Sequence, residues 1–87
     1  MPERICVGDT VKHFKRETIS ETEKKKGKYL YCVNAFAEHT ETGEELVVYQ
    51  ALYEPYQTYA RPYKMFFSKV DKEKYPDIKQ EYRFEKL

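Results

Sequence analysis

The chain has 87 residues, of which 36% are charged, and its 16 Lys and Arg against 15 Asp and Glu leave a net charge of +1. That near-balance excludes a global field drawing the protein to nucleic acid or a membrane surface, so any such attraction must come from a local patch. The length allows one domain, burying roughly 60–65% of its unfolded surface, and nine Tyr with five Phe exclude a disordered chain, because disordered chains lack aromatics.

Met1 to Cys6 reads as a short lead-in. Pro2, Glu3 and Arg4 precede too few apolar residues for a signal peptide, and no run approaches the roughly 20 apolar residues that span a bilayer. Cys6 and Cys32 are too few for a disulfide framework. They are expected as reduced thiols in a cytoplasmic protein, Cys32 as a small buried hydrophobe. Val7-Gly8-Asp9 resembles a turn, and Thr10 to Lys15 reads as a first strand, with Val11 and His13 on one face. Arg16 to Lys28 is polar apart from Ile19, carries no apolar stripe and is expected as a polar loop or insertion. Its lysines, Lys24, Lys25, Lys26 and Lys28, read as a solvated surface that could meet a polyanion.

Tyr29 to Glu38 is a long second strand, apolar on both faces, and Glu44 to Tyr53 is a third, rich in strand-forming Val47, Val48 and Tyr49. Between them Glu41-Thr42-Gly43 suits a three-residue hairpin loop, with Gly43 at the left-handed position. Counting outward pairs His39 with Glu45, Ala37 with Val47, Ala35 with Tyr49, Val33 with Ala51 and Tyr31 with Tyr53. The opposite face then pairs Glu38 with Leu46, Phe36 with Val48, Asn34 with Gln50 and Cys32 with Leu52. A one-residue slip would reshuffle all of these. Glu54 to Gln57 is a turn built on Pro55, Thr58 to Arg61 a short fourth strand, and Pro62 to Met65 a single helical turn. Met65 to Val70 reads as a further strand, Asp71 to Asp77 as a loop, and Ile78 to Phe84 as an alternating, half-buried edge strand. Five to six short strands with turns between them predict a mainly β fold, a small SH3-like antiparallel barrel with at most one single-turn helix.

The block His39-Thr40-Glu41-Thr42-Gly43-Glu44, then Leu46 to Tyr53, Arg61-Pro62 and Met65-Phe66 resembles the bacterial domain-of-unknown-function family 1653. Gly8, the triplet His13-Phe14-Lys15 and the pair Tyr31 and Val33 resemble that family's first two strands. The resemblance runs from about Gly8 to Val70 and departs between Lys15 and Tyr29, where the family has a shorter connection. It implies a small SH3-like barrel without an established activity.

Candidate site residues are His13, His39, Glu41, Glu45, Tyr49, Tyr53 and Arg61. A face carrying Tyr31, Ala35, Ala37, His39, Glu45, Tyr49 and Tyr53 offers a shallow alanine floor between tyrosine walls, suited to stacking a planar group. The bland alternative is that the small residues face a crowded interior. His39 beside Glu41 and Glu45 could act as a base, or close the hairpin. Arg61, extended before Pro62, could hold a carboxylate or phosphate, or lock the fold through a glutamate. No nucleophile motif, phosphate-binding loop or metal-ligand spacing is present, so neither a catalytic residue, a cofactor nor a metal is expected. The reading is a small binding module for a peptide, a nucleotide or a short nucleic-acid segment. The alternatives are a small-molecule or catalytic site around His39, Glu41, Glu45 and Arg61, and an oligomerisation domain that dimerises through its edge strand.

Overall fold

The computed structural model describes residues 4–87, so Met1 to Glu3 of the expected lead-in lie outside the described residues. Five strands form one antiparallel sheet: β1 (Thr10–His13), β2 (Leu30–Glu38), β3 (Glu45–Ala51), β4 (Thr58–Pro62) and β5 (Phe84–Lys86), in the order β4-β3-β2-β1-β5. Two short helices accompany them, α1 (Glu21–Lys25) and α2 (Tyr63–Phe66), with a 3-10 helix over Phe14–Thr18. The mainly β antiparallel fold is as expected, but the sheet stays open: β4 and β5 are its two edges, and among the described residues no ladder joins them into a barrel.

The core lies on one face of the sheet. Val11, Tyr31, Val33, Val47, Tyr49 and Ala51 point to that face and pack against Phe66 of α2 and Phe84 of β5. Phe66 and Phe84 stack with centroids 4.2 Å apart and ring planes 6° from parallel. These large rings supply much of the buried area that so short a chain can assemble. Phe14, Val70 and Ile78 form a second, smaller cluster, with Tyr75 packed on it.

The central hairpin forms, but not in the expected register. Tyr31 opposes Ala51 and Val33 opposes Tyr49; beyond them Ala35 opposes Val48, Phe36 opposes Val47, Ala37 opposes Leu46 and Glu38 opposes Glu45. Asn34 is the extra residue of a bulge between Val33 and Ala35. Two causes displace the expected pairs. The turn is wider than three residues, since His39 N–H donates to Glu44 O and Gly43 N–H to His39 O. The bulge then reverses which side chains of β2 face inward, so Phe36, not Ala35 or Ala37, sits opposite core-facing Val47.

The segment expected as a loop at 16–28 is helical in part. Ser20 caps α1, its Oγ accepting from Glu23 N–H at 3.2 Å. The stretch Ser20-Glu21-Thr22-Glu23 has the spacing of a capping box, a local start signal that operates here without an apolar stripe. Arg16 closes the other end, donating to Lys24 O at 3.1 Å and Lys28 O at 2.7 Å.

After α2 the expected strand Met65 to Val70 is reduced to one isolated pairing, Lys69 with Tyr82. The expected strand at Ile78 to Phe84 also fails to form a full ladder: apart from the isolated Tyr82 pairing with Lys69, only Phe84–Lys86 pairs, with β1. The alternation of side chains is nonetheless real, for Ile78, Gln80 and Phe84 are buried while Lys79 and Glu81 are exposed. Carboxylates take the place of a neighbouring strand. Glu17 accepts from Lys79 N–H and Gln80 N–H at 2.8 and 2.7 Å. Glu85 accepts from Glu81 N–H and Tyr82 N–H at 3.0 and 3.1 Å.

Buried Gln80 ties this tail to the sheet, its amide nitrogen donating to Lys12 O (3.0 Å), Tyr82 O (3.0 Å) and Arg83 O (3.3 Å). Gln80→Leu keeps the volume and removes the donors, leaving these carbonyls short of partners. We expect a loss of about 2–3 kcal/mol in urea denaturation. A loss below about 0.5 kcal/mol would show that water replaces the amide.

Candidate functional site

On the core side the sheet opens into a cleft of about 290 Å³, lined by His13, Lys15, Tyr29, Tyr31, Tyr49, Tyr53, Tyr59, Arg61 and Phe84. Register explains the convergence. Tyr49 of β3 stands opposite Tyr59 of β4, and Val47 opposite Arg61, so Tyr59 and Arg61 share the face of the core. On the other side, His13 stands opposite Phe84 of β5. Tyr53 reaches in from just after β3, where Tyr56 N–H donates to Tyr53 O at 2.7 Å and closes the turn expected around Pro55.

The tyrosines hold one another in place. Tyr31 and Tyr53 share a hydrogen bond between hydroxyls at 2.8 Å. Burial, reinforced by this bond, pushes the Tyr31 hydroxyl well above the ordinary tyrosine range. It is a neutral hydrogen-bonding group and not a phenolate base.

Arg61 donates from Nε to Tyr49 Oη at 3.2 Å, and its guanidinium carbon lies 5.7 Å from the centre of the Phe84 ring. None of the four ion pairs among the described residues involves Arg61, Arg83 or Lys15. Arg83 instead donates from Nε to Ser68 Oγ at 3.2 Å. Burial and then the neighbouring Arg61 charge lower its proton affinity.

His13 sits at the floor, buried between Phe14 and Phe84 at centroid distances of 4.4 and 5.0 Å. Its Nδ1 accepts from Lys15 N–H at 3.1 Å. Burial, then the charges of Arg61, Arg83 and Lys15, bring its pKa down from 6.5 to about 3. At neutral pH the ring is therefore uncharged, and with Nδ1 accepting, its proton resides on Nε2. Among the described residues no buried side-chain nitrogen lacks a partner, so this Nε2 meets the cleft and not a sealed core.

The chemistry of the cleft is one-sided. Arg61, Lys15, the His13 Nε2–H and the tyrosine hydroxyls can all donate, and no carboxylate among the described residues belongs to the lining. Of the residues singled out in the sequence, His13, Tyr49, Tyr53 and Arg61 meet here. His39, Glu41 and Glu45 do not line it. His39 is at the hairpin turn, where its Nδ1 accepts from Glu41 N–H at 3.2 Å and Thr42 N–H at 3.3 Å. Ala35 and Ala37 are turned to the other face by the bulge, so the expected alanine floor does not lie between the tyrosine walls. Lys15, Tyr29, Tyr59 and Phe84 were missed as lining residues. Tyr59 was within reach of sequence reasoning, because the alternation of β4 places it on the face of Arg61.

Other features carry less. Cys6 is a free, exposed thiol, and Cys32, expected to be buried, is half-exposed. No group of His, Cys, Asp and Glu among the described residues could hold a metal ion. No helix among them is long and apolar enough to cross a membrane.

No curated protein and no solved structure matches the chain. A family model described as a protein of unknown function (DUF1653) matches residues 9–86, which takes in every strand of the sheet and every residue of the cleft lining, and by that match the chain belongs to this family of unknown function.

Proposed function

We propose that the domain is a recognition module that holds the anionic group of a small ligand at Arg61, with the ligand's planar part against the tyrosine rings. The observation that carries this reading is a cleft furnished with donors and, among the described residues, without a carboxylate. Like charges crowded around His13 without counter-ions are costly to the free protein, and an anion bound among them relieves that cost. The geometry suits the task. Nε of Arg61 is spent on Tyr49, which fixes the guanidinium and leaves its terminal nitrogens for a bidentate contact with a carboxylate or phosphate. We place the module in a reducing compartment such as the cytoplasm, where free Cys6 and Cys32 suit the conditions.

The chain has no Trp, and five of its nine Tyr line the cleft, so tyrosine fluorescence carries a signal from it. Titration with nucleoside monophosphates and aromatic carboxylates, against the neutral nucleoside and the aromatic amide, should give saturable binding of the anions alone. Arg61→Gln should weaken it by at least 10-fold, the loss of a hydrogen-bonded charge costing about 1.5–3 kcal/mol, while circular dichroism remains that of the parent protein. Equal binding of charged and neutral compounds, or an Arg61→Gln variant that binds as well as the parent, would sink the proposal.

A further inference from the structure

We infer that the cleft is the centre of a short track for single-stranded nucleic acid, a reading that rests on the anion-binding role of Arg61. Five tyrosines run across it in ring contact: Tyr31 and Tyr49, 7% and 3% exposed, form its closed floor, while Tyr59, 41% exposed, and half-buried Tyr53 and Tyr29 stand at its rim with ring surface open to a ligand. Tyr59 lies 5.6 Å from Tyr49, Tyr49 lies 5.3 Å from Tyr31, Tyr31 lies 5.7 Å from Tyr53, and Tyr53 lies 6.1 Å from Tyr29. Every step exceeds the roughly 3.4 Å by which a stacked strand advances per nucleotide, so the run is longer than one base. From Tyr49 onward, successive rings are turned by 81°, 74° and 65°. The rim rings, Tyr59 from β4 and Tyr53 with Tyr29 at the other end of the run, each stack a base only when the bases are splayed apart, as single strands present them and a duplex does not.

Cations flank the run along its length. Arg61 is beside Tyr49, Lys15 belongs to the same lining, and Lys28 Nζ lies 5.5 Å from the Tyr29 ring centre at the far end. Repeated anions alternating with planar groups are the chemistry of a polynucleotide. An acidic peptide would satisfy the cations and leave the rings unused. The track is bounded. Beyond Tyr53 an adjoining hollow is lined by Glu23 and Glu54 as well as Lys26 and Lys28, and Glu23 pairs with Lys28 at 3.3 Å. That mixture of signs gives a second stretch of phosphates no net attraction, so the site holds a few nucleotides and not a long strand.

The test uses the whole chain and uridine and thymidine oligonucleotides of one to eight residues, read by anisotropy and tyrosine fluorescence. Affinity should rise at least 10-fold from the mononucleotide to the tetranucleotide and then flatten. The slope of log affinity against log salt should be about −1.5 to −2, as for two to three phosphates on a single strand. Exposed Tyr59 gives a variant that leaves the core intact, and Tyr59→Ala should weaken tetranucleotide binding by about 5-fold or more. Lys15→Gln should flatten the salt slope by about 0.7. A mononucleotide bound as tightly as the tetranucleotide overturns the track while the anion-binding reading stands. A duplex or an octaglutamate peptide bound as tightly as the tetranucleotide also overturns it. Absence of binding to every member of the series, mononucleotide included, overturns the track, and the anion-binding reading falls with it only if the aromatic carboxylates also fail to bind.

Discussion

Phe84→Ala is expected to lower the free energy of unfolding by about 3–5 kcal/mol, the range for removing a large aromatic from a packed core. Phe84 is 2% exposed. It stacks on Phe66 at 4.2 Å, meets the edges of Tyr31 and Tyr49 at 5.7 and 5.3 Å, touches His13 at 5.0 Å and lies under Arg61. It is also the first residue of β5, which joins the tail to β1 through only three paired positions. A domain of this length has roughly 4–13 kcal/mol in total, so the variant should be marginal at room temperature. Urea denaturation followed by near-ultraviolet circular dichroism of the tyrosines measures the effect. Phe84→Leu should recover most of it, because a branched aliphatic side chain fills much of the space. If the Ala variant loses less than about 1 kcal/mol, the tail is an appendage and not part of the cooperative unit.

The second large effect is on the acid side of neutrality. His13 titrates near 6.5 in the unfolded chain and at about 3 in the fold. A folded pKa depressed in this way contributes stability that is present in full above about 6.5. That stability is lost as the pH falls from there towards 3, because the unfolded chain takes up a proton the folded chain refuses. The groups responsible come from several elements: Arg61 on β4, Arg83 just before β5, and Lys15 beside the ring itself. Between pH 6 and 5, where most carboxylates remain ionised, the slope should approach but not exceed about 1.4 kcal/mol per pH unit, the value for one proton. Water at the mouth of the cleft reduces it through screening. His13→Asn keeps an acceptor for the Lys15 N–H and cannot titrate. Its stability should vary less with pH over that interval, and equal slopes in the two proteins would refute the assignment. An anion bound at Arg61 neutralises part of the field that keeps His13 unprotonated, so saturating phosphate should also reduce the parent protein's slope.

The sequence reading succeeded where one short pattern governed local structure. Val47, Val48 and Tyr49 have little choice but a strand, and Arg61-Pro62 holds β4 extended up to the start of α2. It failed where backbone partners came from elsewhere in the chain. Nothing in Ile78 to Tyr82 announces that Glu17 and Glu85 will accept its N–H groups, so a true alternation of buried and exposed side chains was taken for a ladder. Likewise, no residue type marks Asn34 as a bulge. The cleft was partly legible for the same reason. Tyr49, Tyr53, His13 and Arg61 could be singled out one by one, but their meeting depends on the order in which β1, β2, β3 and β4 lie side by side and on β5 returning next to β1. His39 was conspicuous in the sequence because it is a histidine among glutamates, yet its Nδ1 is occupied by the turn.

The bulge at Asn34 makes β2 a strand read in two frames. Up to Val33, odd-numbered residues face the tyrosine cleft; from Ala35 onward the even-numbered ones take that side. Deleting this one residue would leave an unbroken ladder with the same faces, Val33 inward, Ala35 outward and Phe36 inward, whereas keeping it and forcing a regular ladder would exchange the inner and outer faces of everything between it and the hairpin tip. Loss of the bulge is therefore more disruptive to the hairpin than loss of the residue. With Asn34 kept in a regular ladder, Phe36 changes sides with Ala35 and Ala37, although every amino acid is retained.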